Sequence, residues 1–577
     1  MSRTVLKVAG ESGMGLLSVG HIVAKMLRGM GFYVHSDREY PSLIKGGSSN
    51  MQIDFGPSPI RCLSKETDLV IALDREGLVE YLDTIKEGGV LVHGFERHHL
   101  IKDLQEKAAK RHIHLLYLPA HSIAHELGGG ELMVNMVLLG LMWRVLGFQL
   151  KPLEEAITEQ FAKKPKLLEI DLKCVRAGYE AKGVEIPAYK IPVPKSKPDQ
   201  ILIDGNMGVA LGAIKAGVRA YYAYPMSPSS SILTYLANFS HETGMVVKQA
   251  EDEITAAQMA VGSMHMGTRA LVATSGGGYD LMTETVSMAG MIECPLVVVL
   301  CQRPGPATGL PTWTSQGDLQ MAIHSAHGEF AKIVLAASDP KSCYELTQQA
   351  LNLAERFQAP VVPLSEKQVC ESQVMVNLEE GEAIAIERGL VTAPKELAAL
   401  KSADRFRHTE NGVSKRWIPG SAPAGYYANS DEHREDGVLT EAADEAKAMM
   451  EKRMRKVEAI REALPDSVVF GPKKADISFV GWGSSKGVAL DAIEACAEKG
   501  IKVNYLHFDY LWPLRDEAFR KFHKANPNIH MLENNFQGQL AELLEGKTGL
   551  KFKGRFLKYD GRPFYLEEVV EYAEKNK

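Results

Sequence analysis

The sequence predicts an α/β protein of three α/β domains, and three observations carry that reading. Short apolar strands alternate with amphipathic helices along most of the chain. Three times a strand runs into a glycine-containing turn that opens a helix: at AGESGMG near the N-terminus, at ATSGGG from Ala273, and at GWGSS from Gly481. Stretches of different texture separate these units, and 577 residues correspond to about three to four domains of ordinary size.

The first domain spans residues 1–186. VLKVAG, DLVIAL, GVLVHG and HIHLLYLPA read as strands of a parallel sheet with helices between them. After the first strand come Gly10, Gly13, Gly15 and Gly20, either a phosphate-cradling turn at a helix N-terminus or a purely structural tight turn; the spacing is not GxGxxG. DREYPSLIKGGSSN offers Arg38, Lys45 and the small-residue backbone of Gly46 and Gly47 to a pyrophosphate, with a solvated loop as the alternative. Prolines 187, 192, 194 and 198 exclude helix, so residues 187–199 read as an extended linker. The second domain, 200–430, runs through LVVVL and IVLAA to PVVPLSEKQV and a turn-rich stretch containing RWIPG. A charged amphipathic helix, EAADEAKAMMEKRMRKVEAIREAL, dominates the connecting segment 431–474, and the third domain occupies 475–577.

Composition narrows the classes of function. Hydrophobic residues at 45% and charged residues at 24% suit a globular protein, with no apolar run near the roughly 20 residues that a membrane span needs. The N-terminus lacks a signal-peptide h-region, and the expected location is the cytoplasm. Seven scattered cysteines without a CxxC pair argue against a disulfide framework, a zinc site or a cluster held by this chain. A net charge of -6 provides no basic field for nucleic acid.

The run from Tyr224 to Gly278 is the most informative. YPMSPSS, QAEDEITAAQMAVGS and ATSGGG describe a hydroxyl-rich turn after a strand, a helix opening on Glu251 and a glycine turn, an order that places backbone amides and a carboxylate around a heterocycle. Taken alone, Glu251 also reads as an acid complementing a helix dipole. Three consecutive glycines after a strand are costly unless backbone must approach something closely. Arg303 ends the apolar strand LVVVLCQ, where open α/β sheets bind ligands, and its fork suits a carboxylate; an ordinary ion pair is the alternative. His324 and His327 have helical spacing but no supporting ligands, so they read as structural or gating residues, and Cys294 and Cys301 as small core residues.

These motifs, with QRPGPATGLPT, QGDLQMAIHSAHGEF, RWIPG and ENNFQGQL, resemble the alpha subunits of 2-oxoacid:ferredoxin oxidoreductases, most closely the 2-oxoglutarate type, with a gamma module fused at the N-terminus. The resemblance covers essentially the whole chain. It implies a pyrimidine-binding domain for thiamine diphosphate in 200–430, a transketolase C-terminal-like domain from Ala475, and a gamma module that helps bind coenzyme A, where Gly13, Arg38, Lys45, Gly46 and Gly47 fall. It matches Glu251 to the glutamate on N1' of the aminopyrimidine and Arg303 to the arginine that pairs with the 2-oxoacid carboxylate. Ser227 stands where a threonine is usual, and Tyr224, Pro225, Met226, Ser275, Gly276 and Gly277 line the cofactor. TSGGG stands where TSGPG is commoner.

No GDG followed by asparagine is present, nor a cysteine set for an iron-sulfur cluster. The resemblance therefore implies a beta subunit that supplies Mg2+, the diphosphate site and a [4Fe-4S] cluster in an (alpha-beta)2 heterotetramer, with ferredoxin as electron acceptor. The implied reaction is reversible oxidative decarboxylation of 2-oxoglutarate with CoA to succinyl-CoA and CO2, the reverse direction being carbon dioxide fixation, as in a reductive TCA cycle. The same chemistry on pyruvate or branched 2-oxoacids, a non-catalytic assembly subunit, and a nicotinamide dehydrogenase built on the N-terminal glycine turn are the alternatives.

Overall fold

The computed structural model describes residues 3–43, 47–95, 102–187 and 191–577. Three sheets of eight, seven and five strands organise the chain. It divides into two compact units: Met1–Leu202 with Ser372–Asn377 and Tyr565–Glu568, and Ile203–Glu371 with Leu378–Phe564 and Val569–Lys577.

In the first unit, the strands Thr4–Glu11, Thr67–Ala72, Ile85–His93 and His114–Tyr117 are mutually parallel, as their alternation with helices predicts. The other half of this sheet is antiparallel, which corrects the expectation of a purely parallel sheet. Tyr33–Glu39 and Ser48–Gly56 pair with each other, and Ser48–Gly56 pairs with Thr4–Glu11. DREYPSLIKGGSSN carries no visible strand pattern because charged and hydroxyl residues mask the alternation, yet Arg38 and Ser48–Asn50 lie in these two strands, so a solvated loop does not describe them. Gln373–Val376, remote in sequence, extends the sheet beside Tyr33–Glu39. Gly15 ends the N-terminal glycine turn in the left-handed region, φ 78°, as the N-cap of the helix Leu16–Gly29, and Gly13 also has positive φ, 104°. Gly20 serves packing instead, since a Cβ there would come within 2.1 Å of Met51 Sδ.

The second unit holds two sheets. The larger runs, in spatial order, Tyr510–Trp512, Ile333–Ala336, Pro360–Glu366, Leu296–Gln302, Ala270–Thr274, Ala220–Ala223 and Val246–Gln249, with every pairing parallel except that of Tyr510–Trp512. The smaller sheet opens at Val468–Phe470, ahead of Ala475, and contains Ile477–Trp482, Val503–Phe508, Ile529–Glu533 and Gly554–Leu557. One apolar core joins them: Val298 and Leu300 belong to the same buried cluster as Val480, Trp482 and Phe508.

The segment from 378 to 463 is tied to the larger sheet by buried charge. Glu355 accepts from Arg269 Nε (2.6 Å), Arg388 Nε (2.9 Å) and Arg416 Nη2 (2.8 Å). The charged helix Ala443–Ala463 is not a solvated connector, because Lys452 and Lys456, 0% and 2% exposed, both reach the buried carboxylate of Glu293. Burial works against that negative charge, yet Lys452, Lys456 and Arg405 hold the carboxyl well below the usual carboxylate range.

Candidate active site

Four neighbouring parallel strands of the larger sheet end at one edge, and each delivers one part of the site. Open α/β sheets bind ligands at the carboxyl ends of their strands. Ala220–Ala223 leads into Tyr224, Pro225, Met226 and Ser227; Val246–Gln249 into Glu251; Ala270–Thr274 into Ser275, Gly276 and Gly277; and Leu296–Gln302 into Arg303. The turn after Ala223 is fixed by Asn206 Nδ2, which donates to Pro228 O (2.7 Å), and by Ser229 Oγ, which donates to Met226 O (2.7 Å). Tyr224 and Pro225 are exposed. Arg303 Nη1 donates to Ser227 O at 2.8 Å, so the structure brings together two residues 76 positions apart.

The helix expected to open on Glu251 opens two residues later. Asp252 is the N-cap, accepting from Thr255 N at 2.7 Å, and the helix is Glu253–His265. Glu251 is exposed in the preceding turn, whereas Glu253 is 4% exposed. Glu253 lies against the glycine turn: a Cβ on Gly278 would come within 2.8 Å of Glu253 Cγ, 3.0 Å of its Oε1 and 2.1 Å of Thr274 Oγ1. Asp318 approaches Gly276, where a Cβ would lie 3.0 Å from Oδ2. Gly277, between them, is exposed, and a Cβ there would meet nothing within 4 Å. The turn is thus gripped by two carboxyls and open at its middle residue.

Several polar groups at this edge lack partners. Ser275, the N-cap of the helix Gly276–Met291, makes no capping bond with its side chain, and its buried Oγ has no hydrogen-bond partner. Asp318 Oδ2 is likewise buried and unpartnered. Burial, then the charge of Asp280, push the Asp318 carboxyl up to about 6, with Arg303 pulling the other way. Buried polar groups are almost always hydrogen-bonded, so orphans clustered at a helix N-terminus mark a place for a polar ligand. Among the described residues, no group of three or more His, Cys, Asp or Glu side chains is placed to hold a metal ion. Glu253 against Gly278, the unpartnered Ser275 Oγ and the open glycine turn suit a heterocycle that needs one carboxylate and backbone or hydroxyl partners.

In the first unit, Gly13 and Gly47 take positive φ, 104° and 82°, and the Arg38 guanidinium stacks 4.0 Å over the Tyr40 ring. Lys45 and Gly46 lie outside the described residues. Sequence reasoning missed Glu253 and Asp318. The preference of aspartate for N-caps points to the first, placing Asp252 at the cap and its neighbour in the helix. Asp318, in QGDLQ, carries no local signal.

A parallel sheet with a carboxylate and an open glycine turn at its strand ends has the form of a cofactor-binding domain, and the family match identifies it as one for thiamine diphosphate. The family described as Pyruvate flavodoxin/ferredoxin oxidoreductase, thiamine diP-bdg matches residues 211–455, and Pyruvate ferredoxin/flavodoxin oxidoreductase matches residues 5–181. A 2-oxoacid:ferredoxin oxidoreductase subunit alpha from Sulfolobus sp is 30% identical over 98% of this chain and 95% of its own. The chain belongs to the alpha subunits of the 2-oxoacid:ferredoxin oxidoreductases. The 2-oxoglutarate oxidoreductase subunit KorA of Mycobacterium tuberculosis is 28% identical over 99% of this chain and 91% of its own. The solved 2-oxoglutarate:ferredoxin oxidoreductase from Magnetococcus marinus, with 2-oxoglutarate, coenzyme A and succinyl-CoA bound, is 29% identical, covers 100% of both chains and superposes with a TM-score of 0.91.

Proposed function

We propose that this chain is the alpha subunit of a 2-oxoglutarate:ferredoxin oxidoreductase, converting 2-oxoglutarate and CoA to succinyl-CoA and CO2 with electrons passed to ferredoxin. The observation that supports it most is the convergence of Ser227, Glu253, the open glycine turn and Arg303 at adjacent strand ends. The full-length likeness to the Magnetococcus marinus enzyme favours 2-oxoglutarate over pyruvate and branched acids.

Thiamine diphosphate supplies the carbon nucleophile and the electron sink. Glu253 is the residue of this chain that holds the pyrimidine: its buried carboxylate forms no hydrogen bond or ion pair with the described residues and so keeps an acceptor for a ring N–H. Ser275 Oγ and the amides of the first turn of Gly276–Met291 are further polar contacts for the ring. Arg303, steadied by Ser227 O, pairs with the 2-oxoacid carboxylate and orients the carbonyl.

The glycine turn at Gly13 and Gly15, Arg38 and the segment through Lys45, Gly46 and Gly47 contribute to coenzyme A. A beta subunit supplies Mg2+, the diphosphate site and a [4Fe-4S] cluster, the assembly is an (alpha-beta)2 heterotetramer, and it works in the cytoplasm. The seven cysteines are buried and form no disulfide among the described residues, which suits a reducing compartment.

The test is isotope exchange. The complex co-purified with its beta subunit should move labelled CO2 into C1 of 2-oxoglutarate. A cluster-loaded complex that exchanges no label into any 2-oxoacid would leave the assembly-subunit reading in its place.

A further inference from the structure

Asp318 stands at the start of the short helix Leu319–His324, in the loop that follows Arg303. Its position is fixed from two sides. Asp318 N donates to Gln302 Oε1 (2.9 Å), Gln302 Nε2 donates to Ser365 O (3.1 Å), and Gln320 N donates to Gln539 Oε1 (2.9 Å). The carboxyl so held faces Gly276, with Oδ2 buried and unpartnered. The groups around it are Arg303 at the strand end, Asp280 on the helix Gly276–Met291, the orphaned Ser275 Oγ at its N-cap, and Glu253 across the glycine turn. Arg303 feels the Asp318 charge, yet it donates to Ser227 O and forms no ion pair with Asp318. A half-buried carboxyl whose Oδ2 has no partner among the described residues is costly in the free protein, and the arrival of an anion at Arg303 alters that balance.

We propose that Asp318 is a positioning residue that sets the affinity of Arg303 for the substrate carboxylate, and that substrate binding takes up a proton at Asp318. Ionised, Asp318 adds a negative charge that opposes the incoming carboxylate beside Arg303; protonated, it removes that opposition and leaves the field of Arg303 to the substrate. Because binding and protonation are linked, each favours the other by the same factor. Burial pushes the Asp318 carboxyl up to about 6, so the exchange falls within a usable pH range. The inference rests on the assignment of Arg303 to the substrate carboxylate.

The test uses the co-purified alpha-beta complex. KM for 2-oxoglutarate should rise about fivefold between pH 5.5 and pH 8, the lower end of typical coupling between interacting sites. In Asp318→Asn it should stay flat, near the low-pH value of the parent. Calorimetry at pH 6.5 in two buffers of different ionisation enthalpy should show net proton uptake when N-oxalylglycine, a 2-oxoglutarate isostere resistant to decarboxylation, binds the parent, and none for Asp318→Asn. A slope of KM with pH that survives in Asp318→Asn overturns the inference, as does the absence of proton uptake by the parent, which needs no variant to fold. A residue of purely structural importance would lower yield or kcat and leave the slope intact. Arg303→Gln separates the two assignments: unchanged KM removes Arg303 from the substrate and this inference with it. A raised KM together with an unaltered slope in Asp318→Asn removes only the role of Asp318.

Discussion

At the residue scale, the choice between two acids two positions apart decides where the chemistry sits. Glu251 is exposed ahead of the N-cap, whereas Glu253 is buried against Gly278 and its carboxylate forms no hydrogen bond or ion pair with the described residues. Glu253→Gln keeps shape and hydrogen-bonding capacity but removes the charge that a ring N–H needs, so kcat should fall by about 100-fold or more, while Glu251→Gln should stay within about threefold of the parent. Steady-state kinetics of the two complexes side by side checks this; the opposite order returns the role to Glu251. The motif AEDEIT was legible as a cofactor segment, but its phase was not, because three acids in a row satisfy a helix dipole equally well and only the Asp252 cap resolves them. Arg303 and Ser227 were legible as separate residues; their contact required the fold.

At the scale of single elements, the glycine turn explains its own composition. Gly278 admits Glu253 and Thr274, Gly276 admits Asp318, and Gly277 faces open space. Gly277→Pro at the second position of Gly276–Met291, where the N–H has no partner within the helix, should therefore be accommodated and stabilise the chain by about 0.4–1 kcal/mol, read as a small rise in Tm. Gly278→Ala forces the Glu253 side chain aside, so it should lower kcat with little change in KM for CoA. The helix Ala443–Ala463 shows the opposite limit of sequence reading. Its lysines look solvated from pattern alone, since charge at helical spacing usually marks an exposed face, yet Lys452 lies 2.5 Å from Glu293 in the interior. Glu293→Gln leaves Lys452 and Lys456 buried without a counter-charge, and chemical denaturation should show a loss of about 3–5 kcal/mol.

At the scale of the whole molecule, local alternation of strands and helices was enough to give the α/β class, but not how distant segments pair. Gln373–Val376 extends the sheet of the first unit, and Tyr510–Trp512 joins the larger sheet of the second. Neither segment carries a local pattern that names its partner, and both sheets depend on pairing between segments far apart in the sequence. Stability should also report a buried cation whose pKa is lowered by burial. Lys332 donates to Ser325 O (2.7 Å) and Ser325 Oγ (3.1 Å), and burial lowers its pKa from 10.5 to about 8. Between those values the unfolded chain binds the proton that the folded chain has released, so the contribution of Lys332 rises with pH, by about 3 kcal/mol across the window. Lys332→Met should remove that slope, measured as the difference from the parent in denaturant midpoints between pH 8 and pH 10. The proposed reaction is tested by anaerobic viologen reduction with the co-purified alpha-beta complex. Reduction should require CoA and be faster with 2-oxoglutarate than with pyruvate; a preference for pyruvate overturns the substrate, and no reduction by a cluster-loaded complex overturns the reaction.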